Sequence, residues 1–136
     1  MFITAFKHAH MTEVLNLLSD ISFYTPKLNH EQLFKQYVER QNVRGLVALN
    51  GESPIGFGCI FVFTNIRGGK VGFIEDIVVK KEFRNYGVGS LIMESLIDIA
   101  KSLRCYMITL KCKSSRVVFY EKFGFNLNGN EMKLVL

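Results

Sequence analysis

Apolar positions along the chain follow two periods, and the changes between them mark the elements. Residues 2–6, FITAF, alternate loosely and predict a short first strand. Over 12–21, Val14, Leu15, Leu17, Leu18 and Ile21 fall at helical spacing behind Thr12, a residue type that caps helix N-termini. Pro26 within SFYTPKL (22–28) breaks that pattern. A second helix is expected from Asn29, with Leu33, Phe34, Tyr37 and Val38 on one face. Two strands follow, VRGLVALN and PIGFGCIFVFTN, turning at Gly51, and IRGGK (66–70) is a further turn. VGFIEDIVV (71–79) is apolar on both faces, as an interior strand is. Helix 88–103 presents Val88, Leu91, Ile92, Leu96, Ile99 and Leu103 as a stripe, and CYMITLKC (105–112) reads as another strand. Residues 114–124 form a short helix with Ser114 or Ser115 as its cap and Gly124 as its stop; FNLNGNEMKLVL then ends the chain as one strand or a hairpin turning at NGN.

Strands joined by short turns pair antiparallel, whereas strands 71–79 and 105–112, joined by a helix, run parallel. The expected fold is therefore α/β, a mixed sheet of six or seven strands with about four helices, and residues 1–136 form one domain with one core. Apolar residues at 49% and charged residues at 21% suit a globular chain. The longest uncharged apolar stretch, around PIGFGCIFVF, is too short to span a bilayer, and the N-terminus lacks the pattern of a signal peptide, so the expectation is a cytoplasmic protein without a membrane partner. Cys59, Cys105 and Cys112 are odd in number, form no C-x-x-C and read as buried thiols in a reducing compartment. His8 and His10 have no third ligand in view, so no metal site is expected. The net charge of +5 favours a polyanion or a phosphate-bearing cofactor. No basic run exceeds Lys80–Lys81, which argues against a nucleic-acid arm.

The chemistry concentrates where strand 71–79 runs through EFRNYGVGS (82–90) into helix 88–103. A helix N-terminus carries unpaired N–H groups and partial positive charge, and glycines let a ligand approach the backbone. Arg84, Asn85, Tyr86, Gly87, Val88, Gly89 and Ser90 thus form a candidate anion cradle, with Lys80 and Lys81 adding charge. The turn is neither a Walker loop nor a dinucleotide fingerprint.

In context, VVKKEFRNYGVGSLIMESLIDIA resembles the acetyl-CoA motif of the GNAT superfamily of N-acetyltransferases, Q/R-x-x-G-x-G/A between strand and helix, and VVFYEKFGF resembles its second recurrent piece. Within the superfamily, GFIEDIVV, CYMITLKC, FYEKFGF and GNEMKL are most similar to the glucosamine-6-phosphate N-acetyltransferase family. The resemblance implies acetyl-CoA as cofactor, its pantetheine arm along Ile77, Val78 and Val79, its pyrophosphate on Arg84–Gly89, a splay between the fourth and fifth strands, a small-molecule amine as acceptor and a homodimer. It aligns Tyr120 with the tyrosine facing the thioester sulfur. A reference tyrosine (about 10) lies above a thiol (about 8.5), so full proton transfer costs roughly 2 kcal/mol, and Tyr120 is better cast as a hydrogen-bond donor.

Glu75 and Asp76 stand in an otherwise apolar strand, where a carboxylate is costly unless paired or hydrated; one of them is expected to order the acceptor amine or the water that takes its proton. Adjacent strand residues face opposite ways, so only one should reach the acceptor unless a bulge intervenes. The acceptor is expected where these carboxylates meet SFYTPKL. Three positions depart from the sugar-phosphate pattern: Lys111 replaces an acid, Arg116 an asparagine and Val135 an arginine that binds the phosphate. Lys27, Arg67, Lys111 and Lys133 are candidates to replace that cation. The alternative is a non-catalytic CoA- or polyanion-binding sensor domain, which needs neither Tyr120 nor the carboxylates together.

Overall fold

The computed structural model describes residues 1–21, 27–39 and 41–136. Five strands are present among them: β1 (Phe2–Ala5), β2 (Val43–Asn50), β3 (Ser53–Thr64), β4 (Lys70–Val79) and β5 (Met107–Leu110). The helices are α1 (Met11–Leu18), α2 (His30–Glu39), α3 (Val88–Ser102) and α4 (Val117–Glu121). The strands form one sheet in chain order; β1 to β4 pair antiparallel and β5 joins β4 in parallel, as the connection through α3 requires.

The two-faced hydrophobicity of β2, β3 and β4 follows from helices on both sides. Val47, Phe57, Cys59 and Val78 pack with Val14 and Leu17 of α1. Leu46, Ala48, Ile60 and Ile74 pack with Val88, Ile92, Met93 and Leu96 of α3, and Phe119, Tyr120 and Phe123 of α4 and its end cover the same side. Gly58 permits this approach, since a Cβ there would lie 2.6 Å from Ile77 Cδ1 and 2.7 Å from Ile92 Cγ2.

Several local expectations are corrected. The strand count is five rather than six or seven, because residues 125–136 take no regular structure. The strand expected over 105–112 is only Met107–Leu110. Neither Thr12 nor a serine before α4 caps its helix through a side chain: the N-caps are His10 and Arg116. Residues 22–26, where Pro26 is expected to break the helical pattern, lie outside the described residues.

Leu96 is fully buried between α3 and the sheet, at 0% exposure. Leu96→Ala should lower unfolding stability by about 3 kcal/mol, within the range for buried leucines, as a drop in the urea midpoint at unchanged slope.

Candidate functional site

The site is organised by an irregularity in β4. Cys59 of β3 faces Glu75, but Phe57, two residues away, faces Val78, three residues on. One extra residue has therefore entered β4, and Asp76 absorbs it in the left-handed region at φ 59°. The packing reports the same bulge. Ile74 lies on the α3 side and Val78 on the α1 side, although residues four apart on a regular strand share a face. The bulge turns both carboxylates toward the α1–α2 layer: Glu75 stands opposite Cys59 of that face, and Asp76 lines a cavity there.

Beyond the bulge, β4 parts from β5. The parallel ladder joins Val71–Ile74 to Met107–Leu110 and then stops, while β4 runs on to Val79. Val78 and Val79 thus have ladder partners on the β3 side only, and Ile77, next to the bulge, pairs in neither ladder, which is the expected splay.

At the end of β4 the Lys80 N–H donates to the Ile55 carbonyl at 2.7 Å, and the Arg84 Nε–H donates to the Val79 carbonyl at 2.9 Å. Arg84 therefore ties the turn to the strand as well as lending it charge. Asn85 (φ 69°) and Gly87 (φ 83°) are left-handed, and Gly87 is the N-cap of α3 without any side-chain cap. The first turn of α3 holds no acidic residue, and a Cβ on Gly87 would meet nothing within 4 Å, so no side chain at the cap covers the first N–H groups of the helix, which lack intrahelical partners. Gly89 has a packing role too: a Cβ there would press on Phe119 Cζ at 3.3 Å. Tyr86 is exposed, while Val88 is buried and offers only its backbone.

The cavity beside Asp76 measures about 310 Å³ and lies between α1, α2 and the sheet, walled by Phe6, Met11, Val14, Leu18, Leu33 and Phe57. Its polar residues are Asp76, Tyr37, Gln36 and Lys27. Burial, then the neighbouring Glu75, pushes the Asp76 carboxyl up to about 6. Below it the Cys59 thiol donates to the Glu75 carbonyl at 3.3 Å and is pushed up to about 12, chiefly by burial. The adjacent Tyr37 phenol is also raised, by burial first, and its hydroxyl has no hydrogen-bond partner of good geometry among the described residues. Tyr37 and Cys59 were not legible as site residues; the only sequence signal was two adjacent carboxylates in an apolar strand. Of the SFYTPKL segment beside which the acceptor is expected, residues 22–26 lie outside the described residues, and Lys27 and Leu28 line the cavity.

Tyr120 lines a different space, a groove of about 840 Å³ bordered by β5, the end of α4 and residues 125–131. It sits edge-on to Phe119 and Phe125, with ring centroids 5.0 and 6.4 Å away. Burial, then Cys112, raises its pKa, against a smaller lowering by Arg116. Cys112 is exposed and Cys105 half-buried, so only Cys59 of the three is a buried thiol. Among the candidate phosphate cations, Lys27 alone lines the Asp76 cavity. Lys111 pairs with Glu131 at 3.8 Å, and Arg67 and Lys133 are exposed elsewhere. His8 meets Phe34 edge-on, and His10 Nδ1 accepts the Lys7 N–H at 3.1 Å; among the described residues no three His, Cys, Asp or Glu side chains converge as a metal site. No helix among them is long and apolar enough to cross a membrane.

Residues 11–125 match the family described as Acetyltransferase (GNAT). The chain is 38% identical over 95 residues to a probable glucosamine 6-phosphate N-acetyltransferase 2 of Oryza sativa subsp. japonica, covering 65% of this chain and 57% of that protein. It is 33% identical over 128 residues to a glucosamine 6-phosphate N-acetyltransferase of Candida albicans, covering 88% and 80%. The chain thus spans about half the length of the rice relative and four-fifths of the Candida one. The solved structure of glucosamine-6-phosphate N-acetyltransferase from Arabidopsis thaliana superposes with a TM-score of 0.87 at 25% identity, covering 98% of this chain and 97% of that one.

Asp76 titrates near 3.8 when unperturbed and near about 6 in the fold, so the folded chain holds a proton that the unfolded chain has released. Stability contributed by this group is present below 3.8 and is lost as pH rises through about 6. Asp76→Asn keeps a residue tolerant of left-handed backbone and removes the charge. Denaturant titrations should find the variant more stable than the parent at pH 7, with the gap closing as pH falls below 4.

Proposed function

The chain belongs to the acetyltransferase (GNAT) family, and we propose that it is an N-acetyltransferase moving the acetyl group of acetyl-CoA directly to the primary amine of a small molecule, with glucosamine 6-phosphate as the lead acceptor. One observation carries the reading: the β4 bulge sets Asp76 in the wall of a cavity, with exposed Glu75 next to it, beside a stretch of β4 that has left its β5 partner. A domain that only binds CoA has no need of two carboxylates in that position. The names of the rice, Candida and Arabidopsis relatives supply the sugar. The three unpaired thiols fit a cytoplasmic setting, and the working unit is a homodimer in which residues 1–136 of each chain form one domain.

The residues present fit CoA. Arg84–Ser90 offer open N–H groups and positive charge to a pyrophosphate, and Ile77, Val78 and Val79 offer unpaired backbone to a pantetheine arm. When bound, acetyl-CoA supplies the activated acetyl thioester. The chain's own residues do the rest. Asp76, with Glu75 beside it, draws the acceptor ammonium into the cavity and takes its proton, a task suited to a carboxylate whose pKa of about 6 lies near working pH. A β4 backbone N–H meets the oxyanion. Tyr120, its pKa raised, stays protonated at neutral pH and donates a hydrogen bond to the departing sulfur; it is not an acid tuned for full transfer. Lys27 is the cation for the sugar phosphate.

The test is free-thiol release from acetyl-CoA with glucosamine 6-phosphate and glucosamine at equal concentration. A higher kcat/KM for the phosphorylated sugar, weakened by salt and by Lys27→Ala, is expected. Equal or absent activity on both sugars, with turnover of a polyamine or peptide amine, rejects the sugar and leaves the broader N-acetyltransferase reading.

Tyr120→Phe keeps the ring and removes the hydroxyl. Turnover should fall about ten- to a thousand-fold with acetyl-CoA affinity nearly unchanged. Equal turnover, with chemistry rate-limiting, would assign Tyr120 to packing alone.

A further inference from the structure

One buried hydroxyl beside the Asp76 cavity takes no part in the chemistry of acetyl transfer. Tyr37 of α2 is half-buried, but its hydroxyl oxygen is shut off from water and has no hydrogen-bond partner of good geometry among the described residues. A buried hydroxyl left without a partner is costly, so its position calls for a reason. The ring is held firmly: Phe6 and Phe61 both meet it edge-on, with centroids 5.9 and 6.0 Å from its own. It packs on the cluster that contains Cys59 of β3, a residue at 0% exposure.

Tyr37 and Cys59 act on each other. Burial raises the Tyr37 phenol first, and Cys59 follows, as a charge and as a hydrogen-bonding neighbour. The Cys59 thiol is pushed up to about 12 by burial first, against a lowering by the Tyr37 hydrogen bond. That lowering is the sign of a hydroxyl donating to sulfur. The other contact of the thiol gives the same direction. A carbonyl only accepts, and the Cys59 S–H donates to the Glu75 carbonyl at 3.3 Å. The thiol has one proton, so toward Tyr37 its sulfur can only accept. Glu75 is the residue just before Asp76, where the extra residue interrupts the ladder of β4 and backbone groups need partners outside it.

We propose that Tyr37 and Cys59 are positioning residues for Asp76: the Tyr37 hydroxyl donates to Cys59 Sγ, the Cys59 thiol donates to the Glu75 carbonyl, and this strut from α2 through β3 fixes the bulge so that the Asp76 carboxyl stays in its apolar cavity. Neither side chain reacts; both act through the backbone that carries Asp76. The strut stands on the packing and the bulge. Its consequence for turnover rests on the acetyl-transfer reading above and deepens it, by naming what holds the base in place.

Carbon NMR of the Asp76 carboxyl in the full chain tests the strut without any substrate. The titratable groups around Asp76 are Glu75 on its own strand, Cys59 on β3, Tyr37 on α2 and Lys27 just before α2; α1 faces the cavity with Met11, Val14, Leu15 and Leu18. Burial and then Glu75 raise the Asp76 pKa. Loss of the neutral Tyr37 hydroxyl or Cys59 thiol therefore moves the Asp76 midpoint only if the carboxyl itself moves. The parent midpoint should lie near about 6. Tyr37→Phe, which keeps the ring, and Cys59→Ala should each bring it down toward the ordinary 3.8 as the carboxyl gains water. Cys59→Ser keeps a donor and an acceptor and should hold the parent value. Combining Tyr37→Phe with Cys59→Ala should move the midpoint no further than Cys59→Ala alone, because both groups act along one path. In turnover, Tyr37→Phe should lower kcat about tenfold to a hundredfold with acetyl-CoA affinity unchanged, as a misplaced catalytic group does.

A midpoint unmoved by Tyr37→Phe overturns the proposal. So does additive movement in the double variant, or a parent-like kcat in Tyr37→Phe with chemistry rate-limiting. Acetyl-CoA calorimetry on each variant reports that it is folded, and Tyr37→Phe and Cys59→Ser decide the matter if Cys59→Ala does not fold. If the parent acetylates no amine, the acetyltransferase reading falls while the midpoints still decide the strut.

Discussion

Asp76 holds a left-handed backbone in the middle of an otherwise extended strand, and the surrounding structure depends on that one residue. A strand paired on both sides along its whole length would have no place for a ligand. The inserted residue breaks the alternation of β4, so that Ile74 faces α3 and Val78 faces α1, and the ladder to β5 ends at Ile74. Left-handed backbone costs about 1–2 kcal/mol for most residues and less for Asp and Asn, whose short polar side chains tolerate it. An aspartate at the bulge therefore suits both the backbone and the chemistry proposed for it.

The same geometry sets the electrostatics. Asp76 is withdrawn from water, and the neighbouring Glu75 carboxylate repels it as well, so its proton is held more tightly than usual. The hydrophobic walls that cause this are buried Phe57 and the half-buried Phe6, Leu18 and Leu33. Stability is spent locally to keep a basic carboxylate in an apolar cavity. The packing of α3 on the other face supplies the rigidity that holds it there, with Ile92, Met93 and Leu96 wholly buried.

The cradle depends on the opposite requirement, the absence of side chains. Left-handed Asn85 and Gly87 leave the first turn of α3 uncovered, and Gly89 lets Phe119 close on it from behind. Arg84, bonded to the Val79 carbonyl, fixes the turn to the strand end. The cradle, the unpaired stretch of β4 and the Asp76 cavity are thus successive consequences of how β4 ends.

The local features were legible in the sequence: the two-faced apolar β4, the amphipathic α3 and the glycine turn between them. Each depends on periodicity or on residue conformational preference, which act within a few neighbours along the chain. Which side Glu75 and Asp76 face depends on the register between β3 and β4, which shifts at the Asp76 bulge and is held by packing against α1 and α3. For the same reason Tyr37 and Cys59, far from Asp76 in sequence, became its neighbours only in the folded chain. The C-terminal segment shows the limit most clearly. Its alternation determined that it could be a strand, but a strand exists only when another backbone pairs with it, and among the described residues none does.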